Sequence, residues 1–264
     1  MTEPVAGQKK PALELSNASK AFGHVNALVG ASLAAYPGQV LALVGDNGAG
    51  KSTLIKLIAG VHPMDSGVLS VDGERVELSD AAHARALGIS TVFQDLALVE
   101  VLDVAANMYL GRPPRRGLVF VDRKKMIEGA ADILQDLGIR LPSVRVPVGV
   151  LSGGQRQGVA VARAVLHEGS VILMDEPTAA LGVRETQQVL EIINELRAKD
   201  KTVVLISHNM EVVFHIADRI EVLRLGRVQG VREIGQTDRH EIIGMITGAI
   251  AADEAAPAGE PESG

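Results

Sequence analysis

The chain has 264 residues, 47% hydrophobic and 22% charged, enough for one large or two small domains with a real core. Its net charge is −6, only 2% of residues are aromatic and Trp is absent, so neither a basic field nor base-stacking platforms suit it to nucleic acid. There is no Cys, which excludes disulfides, thiolate metal sites and thiol catalysis.

Residues 1–11 read as a flexible leader without the apolar stretch of a signal peptide. No run of about eighteen apolar residues follows, so any membrane association must come through a partner. Leu13 to Leu15 and Ala27 to Leu33, punctuated by Gly23 and Gly30, predict strands of a small antiparallel sheet. Gln39 to Val44 is a buried strand. It runs into Gly45 to Thr53 (GDNGAGKST), which contains the full G-x-x-x-x-G-K-S pattern. Ser52 to Ala59 then forms an apolar-faced helix stopped by Gly60.

Each part of that loop has a physical use. Gly45, Gly48 and Gly50 permit backbone conformations that a Cβ disfavours. The N–H groups of Asp46, Asn47, Ala49 and their neighbours, up to Thr53, can converge on phosphate at a helix start. Lys51 can reach terminal phosphates, and Ser52 can join the shell of a Mg²⁺.

Gly67 to Gly73 and Gly88 to Phe93 predict two further strands, the second followed by Gln94. Val104 to Leu110 and Arg123 to Leu137 predict helices parted by a Pro/Gly loop over 111–117, so residues 95–164 read as a mostly helical insertion. Next comes Leu151 to Gln157 (LSGGQRQ). Ser152 is a good N-cap and Gly153 and Gly154 open a helix that runs to His167. Such a bare helix N-terminus can be a second anion site, though the residues alone also allow an ordinary capped helix.

Ser170 to Met174 is a central strand that delivers Asp175 and Glu176 to the carboxyl edge of a parallel sheet, where ligands bind in open α/β folds. Asp175 can hold the Mg²⁺ shell, which leaves Glu176 free to polarise an attacking water. Arg184 to Lys199 is an amphipathic helix, Thr202 to Ile206 the next strand, Arg219 to Val231 a hairpin turning at Gly226, and His240 to Thr247 a last helix. Residues 251–264, with four acids and no bases, predict a disordered tail. No internal repeat is present.

Strands alternating with helices predict an α/β fold: a P-loop NTPase core with a mostly parallel sheet, a small antiparallel β subdomain and the inserted helical subdomain. Residues 12–250 form the nucleotide-binding domain.

The set Gly45 to Thr53, Leu151 to Gln155 and Leu173 to Pro177, in that order, resembles the ATP-binding subunit of ABC transporters over residues 13–248. The resemblance implies a head-to-tail dimer. In it, Ser152, Gly153, Gly154 and Gln155 of one copy close on the γ-phosphate held by the loop of the other. It makes ATP and Mg²⁺ the cofactors, with Ser52, Gln94 and Asp175 around the metal. It gives Glu176, His208, Gln94 and Lys51 catalytic positions. It also places Phe22 where the family has an aromatic that stacks on adenine. On the residues alone, Gln94 and His208 remain ordinary strand-end side chains and Phe22 a core residue. Further partners implied are transmembrane permease subunits and, indirectly, an extracytoplasmic sugar-binding protein. The location implied is peripheral, on the cytoplasmic face of the plasma (inner) membrane. The segment Ala97 to Val104 falls near the family's docking region. One position departs: Gly182 stands where the family usually has Asp, which puts communication between the two sites in doubt.

Val104 to Arg112 and Ala217 to Arg224 resemble monosaccharide importers of the ribose and xylose type, and the run Pro177 to Gly182 the single-domain, fructose-importer-like branch. The expected reaction is ATP hydrolysis driving sugar import. The other readings are a transporter of another small solute, a soluble ABC ATPase outside transport, and a non-hydrolysing nucleotide-dependent module.

Overall fold

The computed structural model describes residues 10–117, 120–167 and 169–251. Apart from residues 10, 11 and 251, the expected leader and acidic tail lie outside them.

The chain begins with an antiparallel hairpin, β1 (Leu13–Phe22) and β2 (Val25–Ala35), longer than its apolar patches suggested. Then come β3 (Val40–Val44), α1 (Lys51–Ile58), β4 (Ser66–Val71) and β5 (Glu74–Val76). Neither β5 nor α2 (Ala81–Ala86) is among the predicted elements, although the Asp80 side chain caps α2 by accepting from the Ala82 and His83 N–H groups. Strand β6 (Ile89–Val92) and α3 (Val104–Met108) follow. The predicted Pro/Gly loop over 111–117 carries one strand of a short antiparallel ribbon, β7 (Arg115–Arg116), whose partner β8 (Phe120–Val121) lies beyond it. Next are α4 (Arg123–Asp136), α5 (Gly153–Leu166), β9 (Val171–Asp175), α6 (Val183–Ala198) and β10 (Thr202–Ile206). Helix α7 (Met210–Ile216), capped by Asn209, was also missed. Strands β11 (Arg219–Arg224) and β12 (Arg227–Glu233) and helix α8 (Arg239–Thr247) close the chain.

The main sheet has the order β12-β11-β3-β10-β9-β6, parallel except for β12. The smaller sheet, β2-β1-β4-β5, is antiparallel. Alternation along the parallel strands explains their unbroken apolar runs. Ile172, Met174, Val203 and Leu205 enter a core shared with α3 to α6. Leu41, Leu43, Leu173, Val204 and Ile206 enter a second core with α1 and the antiparallel sheet. Ala42, Val44, Ile220 and Val222 pack on α7 and α8. Each large aliphatic side chain so buried contributes about 1.5–3 kcal/mol, and both sheet faces are covered. Ile206 pairs with Asp175 in register, so β9 and β10 end level.

Candidate nucleotide site

A cavity of about 510 Å³ opens at the carboxyl edge of β3, β9 and β10. Asn47 to Thr53 line it, with Gln94, Asp175, Glu176 and His208 from the sequence reading. Its size falls within the range of small-molecule sites.

The loop between β3 and α1 is held by close backbone approach. Gly45 has φ +156° and Gly50 φ +107°, both left-handed. A Cβ on Gly45 would lie 2.1 Å from the Leu223 carbonyl oxygen, and one on Gly50 would lie 2.5 Å from that of Ala27. Glycine is required at both. The Gly226 N–H donates to the Ala49 carbonyl at 2.9 Å, and the Val29 N–H to that of Gly226 at 2.8 Å, so the β11–β12 turn ties the loop to β2.

Lys51 Nζ donates to the carbonyls of Gly45 (2.7 Å) and Asp46 (2.9 Å), which curls the ammonium back over the loop. Burial lowers its pKa, opposed by the negative charges of Glu176, Asp46 and Asp175. Ser52 and Asp175 line the same cavity, and the Asp175 pKa is raised by burial and then by the neighbouring Glu176, with Lys56, Ser52 and Lys51 acting the other way. Glu176 has φ +52°, and its N–H donates to the Ile206 carbonyl at 3.0 Å. Its Oε1 lies 2.9 Å from Nδ1 of the largely exposed His208. Gln94, two residues past β6, is exposed at the rim.

Other members of the expected set lie elsewhere. Phe22 does not line the cavity but pairs with Val25, which does. Its ring is half-exposed and stands edge-on to His62, with centroids 5.3 Å apart. None of Ser152 to Gln155 lines the cavity. Gly153 faces a neighbouring one, shared with Gln94, Glu176 and Leu181.

The start of α5 is not bare. The Gln155 N–H donates to Ser152 Oγ at 3.3 Å, and the Ser152 N–H to Gln155 Oε1 at 3.1 Å, a reciprocal capping box. Nor are the two glycines explained by anion binding alone. A Cβ on Gly153 would meet Leu181 Cδ2 at 2.7 Å, and one on Gly154 would meet Gln188 Oε1 at 2.8 Å and Glu185 Cβ at 3.0 Å. They let α5 sit against α6.

Several contributors were not foreseen. Val25, Asn26 and Ala27 line the cavity from β2, and Ala179 and Ile206 from the main sheet's edge. Asn107, fully buried, accepts from the Val99 N–H at 2.7 Å and donates to the carbonyls of Val99 (3.0 Å) and Leu102 (3.1 Å). The Arg163 guanidinium donates to the carbonyls of Leu96 (2.7 Å) and Ala97 (2.9 Å). The segment after Gln94 is thus clamped from two helices and presents Val99 and Val101 outward.

The family profile described as ABC transporter matches residues 28–179. The chain belongs to the ABC transporter family. As a member it is an ATPase whose nucleotide is ATP. It is 45% identical to the xylose/arabinose import ATP-binding protein of Sulfolobus acidocaldarius, over 89% of this chain and 93% of that one. It is 43% identical to the fructose import ATP-binding protein of Rhizobium meliloti, over 91% and 95%. A ribose import ATP-binding protein of Rubrobacter xylanophilus is 44% identical over 90% of this chain, which spans only 47% of that relative. Among solved structures, an ATP-binding cassette of an ABC transporter in its ADP conformation matches with a TM-score of 0.77 at 27% identity, covering 90% of this chain and 95% of that one. A dimeric cassette bound to ADP and Pi matches at 0.71 with 26% identity, over 84% and 98%.

Proposed function

We propose that this ABC ATPase is the energy-supplying subunit of a monosaccharide importer, coupling ATP binding and hydrolysis in a head-to-tail homodimer to movement of a transmembrane permease. The observation that carries the hydrolytic part is the Glu176–His208 pair beside the loop of residues 47–53. Lys51 binds the β- and γ-phosphates, leaving its loop carbonyls to do so. Glu176 orients the attacking water and takes its proton, His208 holds Glu176 and reaches the γ-phosphate, and Gln94 completes the rim. Phosphoryl transfer depends mostly on positioning and charge, so these roles suffice in kind. Phe22, at the end of the hairpin that supplies Val25, stacks on adenine.

The residues fit Mg²⁺. Ser52 and Asp175 line the same cavity and both offer hard oxygen, and burial beside Glu176 raises the Asp175 pKa, which a cation at that carboxylate would offset. Among the described residues no group of three or more His, Cys, Asp or Glu could cage a metal, so the ion's remaining ligands would be nucleotide oxygens, water and Gln94. Once bound, Mg²⁺ would neutralise charge developing on the β- and γ-oxygens.

Ser152 to Gln155 lie outside the cavity of their own chain, which supports their use by a second copy: free N–H groups of Gly153 and Gly154 meet the partner's γ-phosphate. The solved dimeric relative supports a dimer. Exposed Val99 and Val101, on the segment clamped by Asn107, suit contact with the permease. We assign the ATPase domain to residues 12–250, with the helical insertion over 95–164, a leader at 1–11 and a tail at 251–264. Among the described residues no helix is long and apolar enough to cross a membrane; the permease partner is what puts this subunit peripherally on the cytoplasmic face. The sugar assignment, with its extracytoplasmic binding protein, rests on the xylose/arabinose, fructose and ribose importers among the relatives.

Glu176→Gln tests the chemistry. The variant should bind ATP like the parent while turnover falls roughly 10²–10⁴-fold. Normal turnover in the assembled complex would remove Glu176 from its role. Uptake of labelled xylose, fructose and ribose against an amino acid by reconstituted transporter tests the solute.

A further inference from the structure

Between α3 and α4 the chain turns basic. Residues 112–125 hold six cations, Arg112, Arg115, Arg116, Arg123, Lys124 and Lys125, against one acid, in a protein of net charge −6. That acid, Asp122, is used locally: its side chain caps α4 and its N–H donates to the Pro114 carbonyl at 2.8 Å. Arg123 pairs with Asp103, and Lys124 lies 3.7 Å from Glu128. Among the described residues Arg112, Arg115, Arg116 and Lys125 have no acidic partner within ion-pair distance.

The ribbon itself has an unusual arrangement. Arg115 stands opposite Val121, and Arg116 opposite Phe120. Directly opposed residues share a face, and successive residues point to opposite faces. Each face therefore carries one guanidinium beside one apolar side chain. Phe120 is 76% exposed and Val121 53%, and both arginines are exposed, so the body of the protein packs on neither pair.

This pattern favours one kind of partner. A folded protein surface would meet one face of the ribbon and leave the other in water. The interface of a lipid bilayer surrounds both. Phe120 and Val121 can enter the boundary of the acyl chains while the arginines rise to the phosphates. We propose that the β7–β8 ribbon, with Arg112 and Lys125 at its base, seats on anionic phospholipid beside the permease. The proposal rests on the transporter reading, which brings this chain to a membrane. Each cation held at an anionic surface strengthens binding about fivefold, so Arg115 and Arg116 together account for roughly 25-fold.

The test is sedimentation of the full chain with vesicles of phosphatidylcholine alone, or with about a third phosphatidylglycerol, alongside its ATPase rate. The expected result is binding to the anionic vesicles only, weakened at high salt as the charges are screened. R115A/R116A should lower that binding at least about tenfold, F120S should lower it at every salt concentration, and both variants should keep the parent's melting temperature and ATPase rate. Equal binding to neutral vesicles, or variants that bind like the parent, would overturn the proposal. So would R115A/R116A failing to assemble with its permease in lipid-free detergent, which would assign the ribbon to a protein contact. The ATPase rate reads the enzymatic assignment separately, so the two can fail independently.

Discussion

Glu221 is an acid buried in the main sheet. It sits mid-strand in β11, paired with Leu43 of β3 and Val231 of β12, and is 1% exposed. Alternation sends it to the same face as Leu223, toward the core beneath the antiparallel sheet. Its Oε1 has no hydrogen-bond partner. Arg219, two residues away, spends its guanidinium on the Ala34 carbonyl and Glu233. Burial therefore dominates and pushes the Glu221 carboxyl from 4.5 up to about 8, with Arg219 pulling weakly the other way. The folded protein keeps this proton to about pH 8, whereas the unfolded chain releases it near pH 4.5. Unfolding thus releases a proton between those values, and stability falls as pH rises through that window. At about 1.36 kcal/mol per pH unit, the loss is near 1 kcal/mol at pH 5 and a little over 4 at pH 8. Glu221→Gln keeps the shape of the protonated acid and removes the titration. Its urea stability relative to the parent should rise by about 3–4 kcal/mol between pH 5 and pH 8, or roughly 10 °C in melting temperature. A difference independent of pH would refute the reasoning, because it would mean that Glu221 finds a partner and titrates normally.

Gly154→Ala sets two effects against each other: about 1 kcal/mol gained in helix propensity and about 1–3 lost to crowding by Gln188 and Glu185. Urea unfolding should show a net loss, and a gain of the full propensity would dismiss close α5–α6 packing as the reason for glycine. Lys51→Ala should weaken ATP binding about 10- to 150-fold, as expected for a charged hydrogen bond worth about 1.5–3 kcal/mol, and unchanged titration calorimetry would remove Lys51 from the phosphates. Gly182 caps α6 at φ −70° with no side-chain bond, so its backbone does not demand glycine. Gly182→Asp should fold with stability within about 1 kcal/mol of the parent, since the cap it gains offsets displacing Glu185 Oε2, 2.6 Å from the new Cβ. A larger loss in thermal unfolding would show that glycine is structurally obligatory there.

The sequence was most legible where structure is local or buried on both faces. Strands β3, β9 and β10 read as continuous apolar runs because each feeds two cores, and the loop after β3 carries its chemistry within nine consecutive residues. Short elements were lost. The β7–β8 ribbon is only two residues per strand, too short for alternation to register. Helices α2 and α7 did carry signals, Asp80 and Asn209 at their caps, in runs that pass for loop or strand continuation. The rest of the site depends on distant pairings. Asn26 and Ala27 reach the cavity only because β2 is tied to the β11–β12 turn across almost 200 positions, and no local pattern encodes that. Asn107 looks like any polar helix residue until its side chain is found organising the segment after Gln94.

The two adjacent carboxylates show how strand geometry and backbone conformation divide labour. In a continuing strand, Asp175 and Glu176 would point to opposite faces of the sheet. Strand β9 ends at Asp175, and Glu176 turns into the left-handed region at a cost of about 1–2 kcal/mol for a residue with a Cβ. That turn brings its side chain to the cavity that Asp175 also lines, while the N–H bond to Ile206 fixes its height at the sheet edge. Two carboxylates then share one cavity with one ammonium, itself weakened by burial. Burial first, and Glu176 second, raise the Asp175 pKa, with Lys56 and Lys51 opposing. A nucleotide phosphate would add further negative charge beside these two carboxylates. Glu176 lies 2.9 Å from His208, while the Lys51 ammonium is held by its own loop carbonyls.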